Sequence, residues 1–202
     1  SPILTNSQFK KFKKFFSKKI KVIDCTFDIE GSLKERIELI REEAETAVRE
    51  GSTCLILSDK SISNQKASIP SILTVGAVHS HLVKHGLRGY CSLNVECSDA
   101  MDTHSFAILI GVGATIVNPY LAIDSIYQRF EKKLFGKLDF ETCVNKFKKS
   151  IDAGLLKIMS KMGISVISSY RGGCSLEAVG LSRATVSDYF PGMSSRISGI
   201  GI

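Results

Sequence analysis

The chain has 202 residues, of which 44% are hydrophobic and 23% charged, with a formal net charge of +7. This composition is typical of one soluble domain with a real core, and no apolar run reaches the ~18 residues of a membrane-spanning helix. The positive charge is local, because seven lysines between Lys10 and Lys21 account for it and the other 20 basic residues balance 20 acidic ones. A nucleic-acid-binding domain usually spreads basic residues over its folded surface, so we expect neither a nucleic-acid nor a membrane partner.

Six cysteines occur without any Cys-x-x-Cys spacing. Four of them fall in strand-like runs, where a reduced cysteine behaves as a small apolar residue: Cys25, Cys54, Cys91 and Cys97. This usage predicts a reducing compartment, most simply the cytoplasm, with no disulfide framework and no structural zinc.

The first 20 residues are predicted to form a basic connecting segment. The chain before Pro2 is expected to be extended, and four apolar residues then recur on one helical face: Phe9, Phe12, Phe16 and Ile20. A basic amphipathic helix could bind a membrane surface or a partner. The alternative, favoured because the cations are all lysines, is a connector whose phenylalanines pack on a neighbouring domain and add little to folding.

Strand-like and helix-like patterns alternate through the rest of the chain. Helical apolar spacing is seen in residues 33–48, 70–86, 106–110, 120–135 and 140–162, and again around Leu176 to Val179. Strands are predicted for residues 21–27, 54–57, 91–97, 114–117 and 166–168. The continuous apolar run 54–57 is typical of a strand buried on both faces of a parallel sheet.

This alternation predicts an α/β fold built from right-handed parallel β/α units. Five units are too few for an eight-stranded barrel, so either an open sheet or an incomplete TIM-like barrel is expected. We assign residues 21–193 to the α/β domain and the Ser- and Gly-rich residues 194–202 to a linker.

Polar residues after the third predicted strand are the first candidates for chemistry, since α/β enzymes hold substrates at the carboxyl ends of their strands. Glu96, Asp99 and Asp102 lie there, with His104 as the nearby base candidate. A solvated loop is the simpler interpretation, because paired carboxylates need a base or nucleophile partner.

Two other motifs have features of binding sites. His81 and His85, four residues apart, share a helix face as metal-ligand pairs do, but no acidic residue nearby in that helix completes a set, so a surface histidine cluster is favoured. Gly111-x-Gly113 lies between a helix and a strand, which is the wrong order for a dinucleotide loop.

Arg171-Gly172-Gly173 has the order strand, glycine turn, helix, in which free N–H groups can bind an anion. A tight turn whose arginine pairs across a domain interface is the alternative interpretation, and it is favoured because no Walker lysine is present.

Several segments, in this order, resemble the central domain of the glutamate synthases. The clearest are residues 69–79, beginning Ile69-Pro70-Ser71, then Asn118-Pro119-Tyr120, residues 154–165, and Ser169-Tyr170-Arg171-Gly172. The chain departs from the family pattern at His79-Ser80-His81, at Cys97-Ser98-Asp99 and at Gly173-Cys174, where an amide side chain is lost.

The resemblance implies a scaffold domain within an enzyme that makes glutamate from glutamine and 2-oxoglutarate. An amidotransferase domain would release ammonia, which passes through a tunnel to an FMN domain that also carries an iron–sulfur cluster. The electron donor would be NAD(P)H or ferredoxin. This domain would bind no cofactor or metal, contribute no catalytic residue and be inactive alone. Candidates for its interface or tunnel wall are Arg171, Tyr170, Glu96 and His79.

One alternative remains from the residues alone. A free-standing β/α enzyme would place a site at the carboxyl ends of the strands, built from Glu96, Asp99, His104 and Arg171.

Overall fold

The fold is described for residues 1–173 and 175–202 of a computed structural model, so Cys174 and the motif departure noted there lie outside the described residues. The strands are β1 (Ile20–Asp24), β2 (Thr26–Asp28), β3 (Cys54–Ser58), β4 (Lys66–Ser68), β5 (Ser92–Glu96), β6 (Ile116–Asn118), β7 (Glu177–Leu181) and β8 (Ser194–Ile200). The helices are α1 (Asn6–Phe15), α2 (Leu33–Arg49), α3 (Ser71–Lys84), α4 (Thr103–Gly111), α5 (Tyr120–Glu131), α6 (Phe140–Lys161), α7 (Ile167–Tyr170) and α8 (Arg183–Tyr189).

The central sheet is parallel, with strand order β1-β3-β5-β6. The order follows the chain without reversal, and right-handed crossovers therefore carry the connecting helices to one face of the sheet. This is the arrangement of part of a β/α barrel, and it confirms the predicted α/β fold of parallel units. A short antiparallel pair, β2 with β4, lies beyond the carboxyl ends of β1 and β3.

The helix-covered face holds the larger core. Strand side chains alternate between the two faces, and Leu55, Leu57, Leu93 and Val95 all belong to this buried cluster. Their partners on α2 and α3 recur at helical spacing: Ile37, Ile40, Ala44, Val75, Val78 and Leu82. The periodic apolar pattern therefore identified these helices and their inward faces correctly.

The opposite face is covered by α1 and differs from the expectation. Phe9 is only 2% exposed and packs on Cys54 and Ile56 of β3, with Phe12 and Phe16 around it. A capping box at Thr5 fixes where the helix begins. The prediction that these phenylalanines pack on a neighbouring domain is wrong for Phe9, because the inner sheet face is itself apolar and needs a cover.

The fifth predicted strand, residues 166–168, is also wrong. Ile167–Tyr170 is a short helix, α7, and Val166 is 54% exposed. The sheet edge that a fifth strand would use is already occupied, because Ile3 forms a parallel bridge with Val117 of β6. Two hydrogen bonds complete that bridge, from Val117 N to Pro2 O at 2.9 Å and from Leu4 N to Val117 O at 3.0 Å.

In the C-terminal region the secondary structure differs from two further predictions. The pattern around Leu176 to Val179, predicted as a helix, is strand β7, and the predicted linker 194–202 contains strand β8. The two strands pair in parallel around α8. Alternating exposure explains the misassignment, because Ala178 is buried while its neighbour Val179 is exposed, and such a short stretch does not separate helix from strand.

No helix among the described residues is both long enough and apolar enough to cross a bilayer.

Candidate functional site

Glu96, the last residue of β5, is the centre of a charged cluster at the carboxyl edge of the sheet. It points toward α1 because it alternates with Val95, which faces the helices. Lys13 Nζ and Ser58 Oγ donate to Glu96 Oε2 at 2.8 and 2.9 Å, and Lys60 Nζ lies 3.1 Å from Oε1. The carboxylate is 4% exposed, so its charge is neutralised by this chain's own lysines.

Electrostatics keep this carboxylate ionised. Burial alone would raise the pKa of Glu96, but the hydrogen bonds and charges of Lys13 and Lys60, with the Ser58 hydroxyl, outweigh burial and hold the pKa below its ordinary value. A low pKa suits a structural ion pair rather than a general acid or base, whose pKa is best near the working pH.

The other two carboxylates after β5 cap helices. Asp99 Oδ2 accepts a hydrogen bond from Ser71 N at 2.9 Å, at the start of α3. Asp102 is the N-cap of α4 and accepts from Ser105 N at 2.8 Å. His104 lies in the first turn of α4 and is exposed. These carboxylates therefore stabilise helix N-termini.

Asp59 is a buried polar residue at this edge that the sequence analysis did not single out. Its Oδ2 accepts from Ser98 N at 2.9 Å and from Ser98 Oγ at 2.6 Å. Burial, followed by the nearby Asp59 charge, raises the pKa of Tyr120. The available signal was Ser58-Asp59-Lys60 directly after a fully apolar strand, the position at which α/β proteins place polar groups.

A second cluster lies at the amino edge of the sheet. Arg88 Nε donates to His79 Nδ1 at 3.1 Å, and its other nitrogens donate to the carbonyls of Cys91 at 2.6 Å and Gly113 at 2.9 Å. Arg171 Nε donates to the Ala114 carbonyl at 3.1 Å. Both arginines thus bind the turn that leads from α4 into β6. Arg88 was missed by the sequence analysis, since a lone arginine after a helix carries no motif.

The histidine of this cluster is neutral near pH 7. Burial, then the charges of Arg88 and Arg171, lower the pKa of His79 to about 4. Because Nδ1 accepts the Arg88 hydrogen bond, the ring proton is on Nε2. Gly113, with φ of +130°, is required beside it, because a side chain there would collide with the His79 ring.

A cavity of about 160 Å³ adjoins this cluster. His79 and Tyr170 line it together with apolar residues of α3, α4 and the C-terminal region, among them Val83, Val112, Leu176 and Phe190. Burial raises the pKa of Tyr170, whose side chain is almost fully enclosed. The lining of the cavity is mainly apolar, with few polar groups.

The structure therefore divides the four sequence candidates between two places. His79, Tyr170 and Arg171 meet at the amino edge, while Glu96 ends β5 at the carboxyl edge. Arg171 binds Ala114, which precedes β6, so it is separated from Glu96 by the length of the strands. The alternative enzyme site, built from Glu96, Asp99, His104 and Arg171, is not assembled.

Comparison with known proteins agrees with this fold. A crystal structure of DHODH from Eimeria tenella in complex with ferulenol superimposes with a TM-score of 0.51 at 15% identity, covering 77% of this chain and 38% of that one. At this identity the likeness concerns the fold alone, a TIM-barrel-like α/β architecture.

The relatives found by sequence are much more similar to this chain than that structure is. The chain is 51% identical over 205 residues to the glutamate synthase [NADPH] large chain of Azospirillum brasilense and 42% identical over 208 residues to that of Bacillus subtilis. It is 40% identical over 215 residues to a ferredoxin-dependent glutamate synthase of Arabidopsis thaliana. These alignments cover 99–100% of this chain but only 13–14% of the relatives.

The chain thus corresponds to one domain of a much larger polypeptide in those relatives. The family model described as the glutamate synthase central domain matches residues 1–182. The chain belongs to the glutamate synthase central domain family.

Proposed function

We propose that this chain is the scaffold domain of a glutamate synthase large chain, and that its amino edge forms part of the wall of an ammonia path. The parent enzyme would make glutamate from glutamine and 2-oxoglutarate. Its amidotransferase and FMN domains would be the partners of this one, with FMN and the iron–sulfur cluster held outside it. The names of the relatives support the parent activity, and the geometry supports the domain's role.

The observation that carries the scaffold role is the filling of the carboxyl edge. In β/α folds this is where substrates and cofactors usually bind. Here Phe9 covers the inner sheet face and Lys13 caps Glu96, so protein side chains take the position of a ligand. A domain that uses its strand ends for internal packing is suited to holding other domains in place.

The amino edge has properties that suit an ammonia path. Arg88 and Arg171 carry positive charge and form no ion pair within the part of the chain that the structure describes. Two half-buried cations repel ammonium, whereas neutral ammonia is not repelled. The neutral His79 and the apolar lining of the adjoining cavity add no carboxylate that would bind ammonium.

Substitution of Glu96 in the intact large chain separates this proposal from a catalytic site at the strand ends. Glu96→Gln removes the charge but keeps the shape of the side chain. Scaffold function predicts that folded mutant enzyme retains ammonia-dependent glutamate synthesis within about twofold, with lower thermal stability. Loss of the reaction by about 10²-fold or more, in enzyme that remains folded, is the size expected for a general acid or base and contradicts the proposal.

A further inference from the structure

Three potential metal ligands meet between α2 and α3, away from both clusters described above. Glu45 comes from α2, and His81 and His85 from the last turns of α3. One ligand atom from each residue lies within 4.8 Å of the other two. His81 Nε2 is 2.6 Å from Glu45 Oε2, and the two imidazole rings are 4.3 Å apart between centroids.

The helix that carries the two histidines has no acidic residue to complete a set of metal ligands. The fold provides one, because α2 packs alongside α3 and supplies the carboxylate. Residues four apart on a helix share a face, so His81 and His85 point to the same side. A carboxylate facing such a pair gives the His₂Glu set found in zinc sites.

Neighbouring groups hold two of the three ligands in place. His85 Nδ1 is 2.9 Å from the His81 carbonyl, to which it donates, and 3.7 Å from Glu45 Oε2, so the lone pair of this ring that can bind a metal is on Nε2. On Glu45, Oε1 is engaged by Arg49 at 2.7 Å, which leaves Oε2 for the histidines. Ligating histidines typically donate their other N–H to a carbonyl or carboxylate, as His85 does here.

We propose that Glu45, His81 and His85 bind a zinc ion that links α2 to α3, with water as the fourth ligand. Imidazole nitrogen with carboxylate oxygen suits Zn²⁺ better than Ca²⁺ or Mg²⁺, which prefer oxygen ligands alone. Zinc bonds of about 2.0 Å place tetrahedral ligand atoms about 3.3 Å apart. The His81–Glu45 contact therefore opens slightly, and the proton on His81 Nε2 exchanges through solvent to Nδ1, so that the ring stays neutral and Nε2 has its lone pair for zinc.

All three ligands are partly exposed, so the site is accessible from solvent. The side chains of Glu45 and His81 are about one-fifth exposed and that of His85 about one-third. Zinc can therefore enter without unfolding of the helices. Since the ligands are on two helices, binding stabilises the folded state over the unfolded one.

The test is titration of the 202-residue chain with Zn²⁺ by calorimetry, and with Co²⁺ as a spectroscopic probe. We expect one equivalent to bind, tetrahedral cobalt bands in the visible region, and a higher melting temperature with zinc. Glu45→Gln, His81→Ala and His85→Ala should each weaken zinc binding by at least about tenfold. His104→Ala changes an exposed histidine outside the cluster and should bind as the original chain does.

Three results would overturn the inference. The first is the absence of a one-to-one phase at micromolar zinc. The second is cobalt–thiolate charge-transfer absorption, which would place the metal on cysteine. The third is equal affinity in His85→Ala and His104→Ala. Because His85 is exposed and lies at the end of α3, its replacement leaves the core intact, and circular dichroism checks that each variant is folded.

Discussion

Lys13 and Glu96 are 83 positions apart, and Lys13 Nζ donates to Glu96 Oε2 at 2.8 Å across the inner face of the sheet. This contact joins the N-terminal helix to the carboxyl end of β5. It also gives the lysine-rich segment a structural role, since at least one of its cations neutralises a buried carboxylate. The basic segment is thus part of the domain's own electrostatics.

Glu96→Gln should lower the free energy of unfolding at pH 7 by about 1–3 kcal/mol, the usual cost of losing a charged hydrogen bond. The folded-state pKa of Glu96 is depressed, so its contribution is present above the unfolded pKa of about 4.3 and is lost as pH falls through the folded value. The difference in unfolding free energy between Glu96→Gln and the original chain should therefore shrink below about pH 4.

Urea unfolding at several pH values measures this difference, and Glu42→Gln, at an exposed residue of α2, is the control. A difference that persists unchanged at low pH would point to packing rather than charge.

Phe9→Ala should destabilise the chain by about 3–5 kcal/mol, because it leaves a cavity between α1 and the sheet. Phe15 lies in the same helix but is 82% exposed. Phe15→Ala should therefore stay within about 0.5 kcal/mol of the original chain. Chemical denaturation of the two variants makes the comparison. Equal small effects would restore the expectation from sequence that this segment is only a connector.

Much of the fold could be predicted because its signals are local. The run Cys54–Ser58 is buried at every position, as its continuous apolar pattern indicates, and α6 begins and ends at or next to the predicted residues. Such patterns show that a segment is buried. They do not report which surface does the burying, and this is why Phe9 was assigned to a neighbouring domain.

The errors concern competition between distant segments. Residues 166–168 have strand-like composition, but Ile3 pairs with the edge of β6 that they would need. Likewise, His79 and Arg171 are brought together with Arg88 by the turn between α4 and β6, which no spacing in the sequence encodes. The candidate residues could be named from sequence, but their division between two sheet edges could not.

Gly76→Ala should destabilise the chain although alanine is the better helix former by about 1 kcal/mol. A Cβ at Gly76 would collide with the Phe190 ring and lie 2.9 Å from the Tyr189 carbonyl oxygen. The C-terminal region would have to move away from α3, at a cost of about 1–3 kcal/mol. Gly89→Ala is the matched control, since nothing lies within 4 Å of its added carbon. Thermal unfolding of both variants gives the result, and a stabilised Gly76→Ala would show that the two elements are not in contact.

His79 should make stability depend on pH in a defined window. Its folded pKa of about 4 is below the unfolded value of about 6.5, so the unfolded chain binds more protons between these values. Stability therefore falls as pH decreases from 6.5 to 4, by up to about 3 kcal/mol, and levels off below.

His79→Asn removes this titration, and its amide oxygen can accept from Arg88 in place of Nδ1. The pH dependence of its unfolding should be flatter over the window, whereas exposed His104→Asn should keep the original slope. Nuclear magnetic resonance titration of the His79 ring checks the pKa directly. A value near 6.5 would mean that the imidazole is solvated and its contact with Arg88 is not formed.

Arg171→Ala, made in the intact large chain, should uncouple the two half-reactions expected of the parent enzyme. The arginine binds the Ala114 carbonyl beside the cavity lined by His79 and Tyr170, and burial lowers the pKa of its guanidinium. Its loss removes a cation and opens this edge to water, so ammonia should escape or become protonated before use. Glutamine hydrolysis and ammonia-dependent synthesis should both persist, but the enzyme should consume more glutamine than the glutamate it forms requires.

Arg129→Ala, at an exposed arginine of α5, is the control and should keep the original ratio of glutamine consumed to glutamate formed. Loss of ammonia-dependent synthesis in folded Arg171→Ala would assign the arginine to the reaction site, and unchanged stoichiometry would leave it only the role of fixing the turn before β6.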